Sequence, residues 1–164
     1  MEFYLAQVNI AKMLAPLESP DMKEFVANLG KINSLADGSD GFVWRLKEDG
    51  DDATAIRIFG DGFLLVNLSV WKDPDTLYRY IYKTAHAEMM KRRKEWFEKM
   101  HERHTALWYV SKGELPTVTD AEERLVHIRN NGETPYAFSF KKRFTLDEAN
   151  RFEPIPGGSR LQLD

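Results

Sequence analysis

Leu64-Leu65-Val66-Asn67-Leu68-Ser69-Val70-Trp71 is the stretch whose reading decides the fold. Successive side chains of a strand point to opposite faces, so Asn67, Ser69 and Trp71 share one face. Large side chains stand on both faces, which marks a strand covered on both sides. A buried amide left without a partner costs on the order of 1–3 kcal/mol. Asn67 and Ser69 must therefore be paired, either with a ligand or with a neighbouring strand or water.

Lys72-Asp73-Pro74 punctuates the end of this strand. Asp73 reads as an N-cap and Pro74 as the first helical residue. A helix is expected from Asp75 to Trp96, with Leu77, Ile81 and Ala85 as its apolar stripe. Tyr78, Tyr82, Met89, Arg93 and Trp96 run alongside that stripe. At about 100° per residue, His86 falls on the flank, next to Tyr82 and Arg93. Whether the helix bends or breaks near His86 is left open by the sequence.

Working outward toward the N-terminus, Phe3 to Ile10 reads as a strand. Tyr4, Ala6, Val8 and Ile10 fall on one face; Phe3, Leu5, Gln7 and Asn9 fall on the other. Ser19-Pro20 opens a helix whose apolar positions are Met22, Phe25, Val26, Leu29, Ile32 and Ala36, and Gly38 ends it. Gly41 to Leu46 is a second strand and Ala53 to Phe59 a short third one. Glu48-Asp49-Gly50-Asp51-Asp52 and Gly60-Asp61-Gly62 are turns.

Toward the C-terminus, Thr105 to Val110 returns as a strand. Thr119 with Glu122 forms a capping box for a helix from Asp120 to Asn130, which Asn131-Gly132 ends. Ala137 to Phe144 is expected as one more strand, reaching onto a partner subunit. The expected organisation is one domain over residues 1–146, with an extension from about 115 and a poorly ordered tail over 147–164.

The order of elements is that of the split β-α-β motif. The fold class is α+β: a ferredoxin-like antiparallel sheet with helices on one face, plus the extra C-terminal helix and strand. The face without helices needs a cover. A second copy of the sheet is the simplest one, so a homodimer packed sheet on sheet is expected.

Bulk composition narrows the function classes. The 164 residues are 43% hydrophobic and 12% aromatic, with net charge −3 and no Cys. Such a chain builds a core and is not disordered. It offers no broad basic field for nucleic acid or an anionic membrane. Disulfides, thiolate nucleophiles and Cys-based zinc sites are all excluded. No signal-like start occurs in Met1 to Lys12, and no run approaches the roughly 20 apolar residues of a membrane span. A cytoplasmic protein is expected.

Several motifs fall to simpler readings. Lys91-Arg92-Arg93-Lys94 spreads its charges around a helix as a solvated face. His101-Glu102-Arg103-His104 has a spacing of three where the zinc motif needs four, so no metal site is expected. There is neither a glycine-rich phosphate loop nor a serine nucleophile elbow.

Two resemblances add to this reading. Leu5-Ala6-Gln7-Val8-Asn9-Ile10-Ala11, Gly41-Phe42-Val43-Trp44-Arg45-Leu46, Val66 to Trp71 and Arg92-Arg93-Lys94-Glu95-Trp96-Phe97 resemble blocks of a bacterial domain family of unknown function. Pro116-Thr117 and Ala121 to Leu125 continue the likeness. The arrangement is also similar to the dimeric α/β-barrel superfamily, which includes the antibiotic-biosynthesis monooxygenases. That likeness implies either a cofactor-free oxidation of flat aromatic substrates or haem binding and degradation through an Asn, a Trp and a helical His. Asn9 or Asn67, Trp71 and His86 are the matching residue types.

The expected function is binding of a small, flat, mostly apolar molecule, with monooxygenase-like or proton-transfer chemistry if the protein is an enzyme. His86 is the expected base or orienter, and Asn67 the polar catalytic partner. Arg45 is placed against a carboxylate or phenolate oxygen of the substrate or against a structural acid across the dimer. Trp71, Tyr82, Trp44, Arg93 and Trp96 are the expected substrate-binding residues; core packing is the competing reading for the tryptophans. No cofactor is expected in this reading. A haem protein with His86 as axial ligand is the alternative, and a non-catalytic assembly module the third.

Overall fold

The computed structural model describes residues 2–47 and 56–152. The expected turn at Glu48 to Asp52 and the tail beyond Phe152 lie outside the described residues, as do Ala53 to Ala55 of the expected strand Ala53 to Phe59.

Four antiparallel strands form the sheet: β1 (Phe3–Lys12), β2 (Phe42–Arg45), β3 (Leu64–Trp71) and β4 (Thr105–Ser111), in the spatial order β2-β3-β1-β4. In register, Gln7 lies opposite Ser69 and Asn9 opposite Asn67, while β4 sets Leu107 beside Gln7 and Thr105 beside Asn9. A bulge in β2 lets Phe42 pair with Trp71 and Trp44 with Val70, one residue out of strict alternation. The extra residue turns Phe42 and Trp44, which strict alternation would place together, to opposite faces.

Ser19 caps a 3-10 turn at Pro20–Met22, which leads into α1 (Lys23–Asp37). Asp73 caps α2 (Pro74–Lys83) through a reciprocal box with Thr76, as the punctuation predicts. The long helix expected to follow is three pieces. α2 ends at Lys83, α3 runs from His86 to Lys91, and a 3-10 turn covers Arg93–Glu95. At the first break the Thr84 hydroxyl donates to the Tyr80 carbonyl at 2.5 Å, and the His86 amide donates to Thr84 Oγ1 at 3.3 Å. This side-chain bonding replaces helical bonds and resets the phase of everything beyond it.

α4 (Val118–Asn131) starts two residues earlier than expected, because Thr117 and Asp120 form the box rather than Thr119 and Glu122. Gly132, at φ 70°, ends it. α4 is not an appendage. Its Ala121, Leu125 and Ile128 pack on Ala6, Val8, Ile10, Leu68, Val70, Ala106 and Trp108. The sheet face expected to meet a second copy is thus covered by this chain itself. The segment after α4 is likewise internal: Phe138 and Leu107 exchange backbone bonds of 2.8 and 2.9 Å along the edge of β4. α5 (Leu146–Arg151) is capped by Thr145 and buries Ala149.

The other face meets α1 and α2, and its apolar packing comes in two separate clusters. One holds Leu5, Ala36, Trp71, Leu77, Tyr80, Leu107 and Phe138. The other holds Met13, Met22, Phe25 and Trp96, with Leu65 against it. Between them, along β1 and β3, lie Gln7, Asn9, Asn67 and Ser69.

Candidate functional site

The gap between those two clusters is a polar band. Alternation puts Leu5, Gln7, Asn9 and Ala11 of β1 on this face, and Leu65, Asn67, Ser69 and Trp71 of β3 beside them in antiparallel register. Gln7 Nε2 donates to Ser69 Oγ at 3.1 Å and to Asn67 Oδ1 at 3.3 Å. Trp71 Nε1 donates to the same Ser69 oxygen at 3.0 Å. Asn9 Nδ2 donates to Thr105 Oγ1 at 2.8 Å. The band runs from outside to inside: Asn67 is exposed, whereas Gln7 and Ser69 keep 6% and 5% of their surface.

At its inner end Trp71, 1% exposed, stacks on Tyr80 with centroids 4.9 Å apart. Phe42 meets the Trp71 ring edge-on at 5.4 Å. The other neighbour of Tyr80 is His86, 4.9 Å away. The Tyr80 hydroxyl donates to the Ile32 carbonyl at 3.3 Å. Burial pushes it up to about 12, with Asp37 adding to the rise and Arg45 opposing it. Arg45 clasps Asp37 with two bonds, at 2.8 and 3.3 Å, and these hold the Asp37 carboxyl below its usual range. Of the two readings offered for Arg45, the structural acid is the one the geometry supplies, on its own chain.

His86 is half-buried at the first position of α3. Its Nδ1 lies 3.2 Å from the Ile81 carbonyl, which can only accept, so Nδ1 carries the proton and Nε2 keeps its lone pair. Burial lowers the imidazole below its ordinary value against the opposing pull of that carbonyl. The ring is therefore a neutral base at pH 7. A porphyrin on His86 needs a flat slot beside the ring. The slot toward the sheet is filled by Tyr80 and Trp71, so the residues present there do not fit a haem.

The structure brings Asn67, Trp71, Arg45 and His86 to one side of the sheet, linked through Gln7, Ser69 and Tyr80. It does not bring the others there. Tyr82, expected beside His86, is 44% exposed on the outer side of α2, 4.6 Å from Tyr78 and 6.2 Å from Phe140. Trp44 packs on the α4 side of the sheet. Trp96 is buried against Phe25 in the second cluster and lines an open groove of about 690 Å³ with Leu14, Pro20 and Met22. Arg93 sits in the 3-10 turn, where its carbonyl accepts from Trp96 and Phe97. The physical reason is the break at Thr84: an unbroken helix was needed to carry Arg93 and Trp96 to the face of His86.

Tyr80 and Gln7 are the residues the sequence reading missed. Thr76, Leu77, Tyr80 and Ile81 sit at helical spacing, which would have set α2's inward face on Tyr80. Gln7 alternates with Asn9 in β1 as Asn67 does with Ser69 in β3, the same signal in a second strand. Among the described residues no group of three or more His, Asp or Glu is placed to hold a metal ion. Among the same residues no helix is long and apolar enough to cross a membrane.

The family described as "Domain of unknown function (DUF3291)" matches residues 4–153. Among solved structures, SnoaB, described as a cofactor-independent oxygenase from Streptomyces nogalater, is similar at 15% identity. The match covers 71% of this chain and 100% of that one, with a TM-score of 0.46. PA3566 from Pseudomonas aeruginosa is similar at 14% identity over 70% of this chain and 98% of that one, with a TM-score of 0.45. NE2512, a protein of unknown function from Nitrosomonas europaea, gives 13% identity, 70% and 96% coverage and a TM-score of 0.43. No curated protein matches the chain.

Proposed function

The chain belongs to the DUF3291 family of unknown function, and from the geometry of the polar band we propose that it binds a small, flat, mostly apolar molecule carrying a carbonyl or phenolic oxygen. The observation that carries this reading is the hydrogen-bonded row from exposed Asn67 through Gln7 and Ser69 to buried Trp71, set between two apolar clusters on the face toward α1 and α2. Polar groups within a core are retained where they are paired and where they specify something. Here the row opens to the surface at Asn67, so an incoming oxygen meets a positioned amide rather than water alone.

The chemistry proposed for this site is stabilisation of charge on a bound oxygen. Asn67 holds that oxygen, while neutral His86, parted from the band by the stacked rings of Tyr80 and Trp71, orients the site through Tyr80. A ligand held as its phenolate or enolate has carbanion character on carbon and can pass an electron to dioxygen, which is the monooxygenase-like form of the proposal. Arg45 acts at one remove, fixed by Asp37 beside the Tyr80 ring. A homodimer belongs with the proposal too. Because α4 closes the second face of the sheet, a second copy has to dock elsewhere, and equilibrium sedimentation of the purified chain decides whether it does.

Native mass spectrometry of the protein as purified from cells tests the binding reading. The expected result is a retained small molecule that is lost from Asn67→Ala and kept in Trp44→Phe, whose ring lies on the other face. A bare protein, or a ligand held equally by wild type and Asn67→Ala, overturns it.

A further inference from the structure

The second apolar cluster opens to the surface, and the opening has a chemistry of its own. Trp96 and Met22 form the floor of a groove whose walls are Leu14, Ala15, Pro20 and the first turn of α1, around a volume of about 690 Å³. Ligand sites fall in the range of roughly 300–1,000 Å³. No residue of the polar band lines this groove. Trp96 is 3% exposed, with Phe25 at 5.5 Å and the Arg92 guanidinium 4.8 Å over its ring. So covered, the ring has no face to offer a stacked flat molecule. What it keeps is the indole N–H, which can only donate. That N–H donates to no group among the described residues, yet it is not sealed in the core.

The wall beyond β1 is open in the same sense. The Leu14 amide donates to the Trp96 carbonyl at 2.9 Å, but the Leu14 carbonyl and the Ala15 amide bond to no backbone group among the described residues. Unpaired backbone beside a groove is a template for another chain. The rim sets the charge. Asp21, Glu24 and Glu95 stand there against Lys23. Arg92 binds Glu95 at 2.7 and 3.0 Å and Glu24 at 2.8 Å, which leaves the Asp21 carboxylate without a salt bridge among the described residues. An anionic acceptor at Trp96 would meet three carboxylates, whereas a neutral carbonyl would not be repelled.

We propose that this groove binds an extended peptide segment that carries a Lys or Arg beside apolar residues. One peptide carbonyl accepts from Trp96 Nε1, and the peptide backbone pairs with Leu14 and Ala15. Its apolar side chains lie against Leu14, which is 53% exposed, and against Met22. Its basic side chain reaches Asp21. A peptide supplies the neutral acceptor, the backbone donors and the cation together, which no flat apolar molecule does.

Selection of a random peptide library on the immobilised full chain, followed by calorimetric titration of the enriched peptides, tests it. The expected result is a set of binders with Lys or Arg next to apolar residues. Their affinity should fall about fivefold in Asp21→Lys, which reverses the rim charge. It should fall about three- to tenfold in Trp96→Phe, which keeps a ring and removes the N–H. Leu14→Asp, at an exposed position, gives the same reading should Trp96→Phe fail to fold by its urea midpoint. No enrichment, binders without a basic residue, or affinities unchanged in both Asp21→Lys and Leu14→Asp overturn the proposal. Self-association of the wild type that is lost in Leu14→Asp would seat a second copy in the groove and overturn it as well.

Discussion

The two faces of the sheet are built on different terms. On the α4 side, β1, β3 and β4 contribute Ala6, Val8, Ile10, Leu68, Val70, Ala106 and Trp108 to one continuous apolar cluster. Its one buried charge, Arg124, lies over the Tyr136 ring at 3.6 Å and donates to the Tyr136 carbonyl at 2.6 Å. On the α1–α2 side the same strands give two smaller clusters with amides and hydroxyls between them. On the proposed reading, the difference separates the part of the molecule that holds it together from the part that recognises a ligand.

The sharpest way to break that comparison is to cut into the α4 side. Leu125→Ala removes a fully buried side chain from the continuous cluster and should cost about 2–5 kcal/mol in urea unfolding. It should leave ligand retention unchanged in the molecules that remain folded. A cost below about 1 kcal/mol, well under that range, would mean that α4 is not a true cover.

Next comes the buried end of the band. Ser69→Ala removes the acceptor shared by Gln7 and Trp71, and an orphaned buried donor costs roughly 1–3 kcal/mol. Denaturant midpoints measure this. Ser69→Val, which fills the space without an oxygen, should not restore stability. If it does, the band is ordinary core and the contrast between the faces is lost.

Acid sharpens the comparison differently. His86 and His127 both lie below the ordinary 6.5 in the folded protein; burial is the chief cause for each, and Arg124 adds to it for His127. A depressed folded value means the unfolded chain takes up its proton first. The stability each provides is therefore present above 6.5 and is lost as pH falls from there through the folded value. Urea midpoints between pH 7.5 and pH 5 should fall less in His86→Phe than in wild type. His127→Phe should show the same sign from the opposite face. An equal fall in wild type and His86→Phe would show that the imidazole is not held neutral.

The smallest effect on stability is expected at Asn67→Ala. This side chain is exposed and stands at the outer end of the row, so the change should stay within about 0.5 kcal/mol. Any ligand should nevertheless be lost. Little change in stability with complete loss of binding is the signature that separates a recognition face from a core face.

The alternation of Asn67, Ser69 and Trp71 was legible because a strand has a period of two whatever surrounds it. The Asp73 cap, the sheet strands and the family resemblance were legible for the same reason: each depends on residues close in sequence. Tyr80 was not legible as the partner of His86. The sequence leaves open whether the helix breaks near His86, because Thr84 bonding back to Tyr80 is a choice among near-equal local conformations. Trp44 could not share a site with Arg45, because adjacent strand residues face opposite ways; the bulge at Val43, which leaves no mark in composition, decided that Arg45 rather than Trp44 shares the face of Phe42 and Trp71.

By itself, then, the sequence determined an α+β chain with an antiparallel sheet, two polar positions on one face of β3, and a histidine on the flank of the helical run from Asp75 to Trp96. Only the tertiary structure decided what covers each face of the sheet. α4, rather than a second copy, meets Trp108 and Leu68. It also decided that Gln7, far from Asn67 along the chain, completes the row. Local pattern is set by the period of the backbone, whereas pairing across strands and the covering of a face are settled by long-range packing, which no window of the sequence contains.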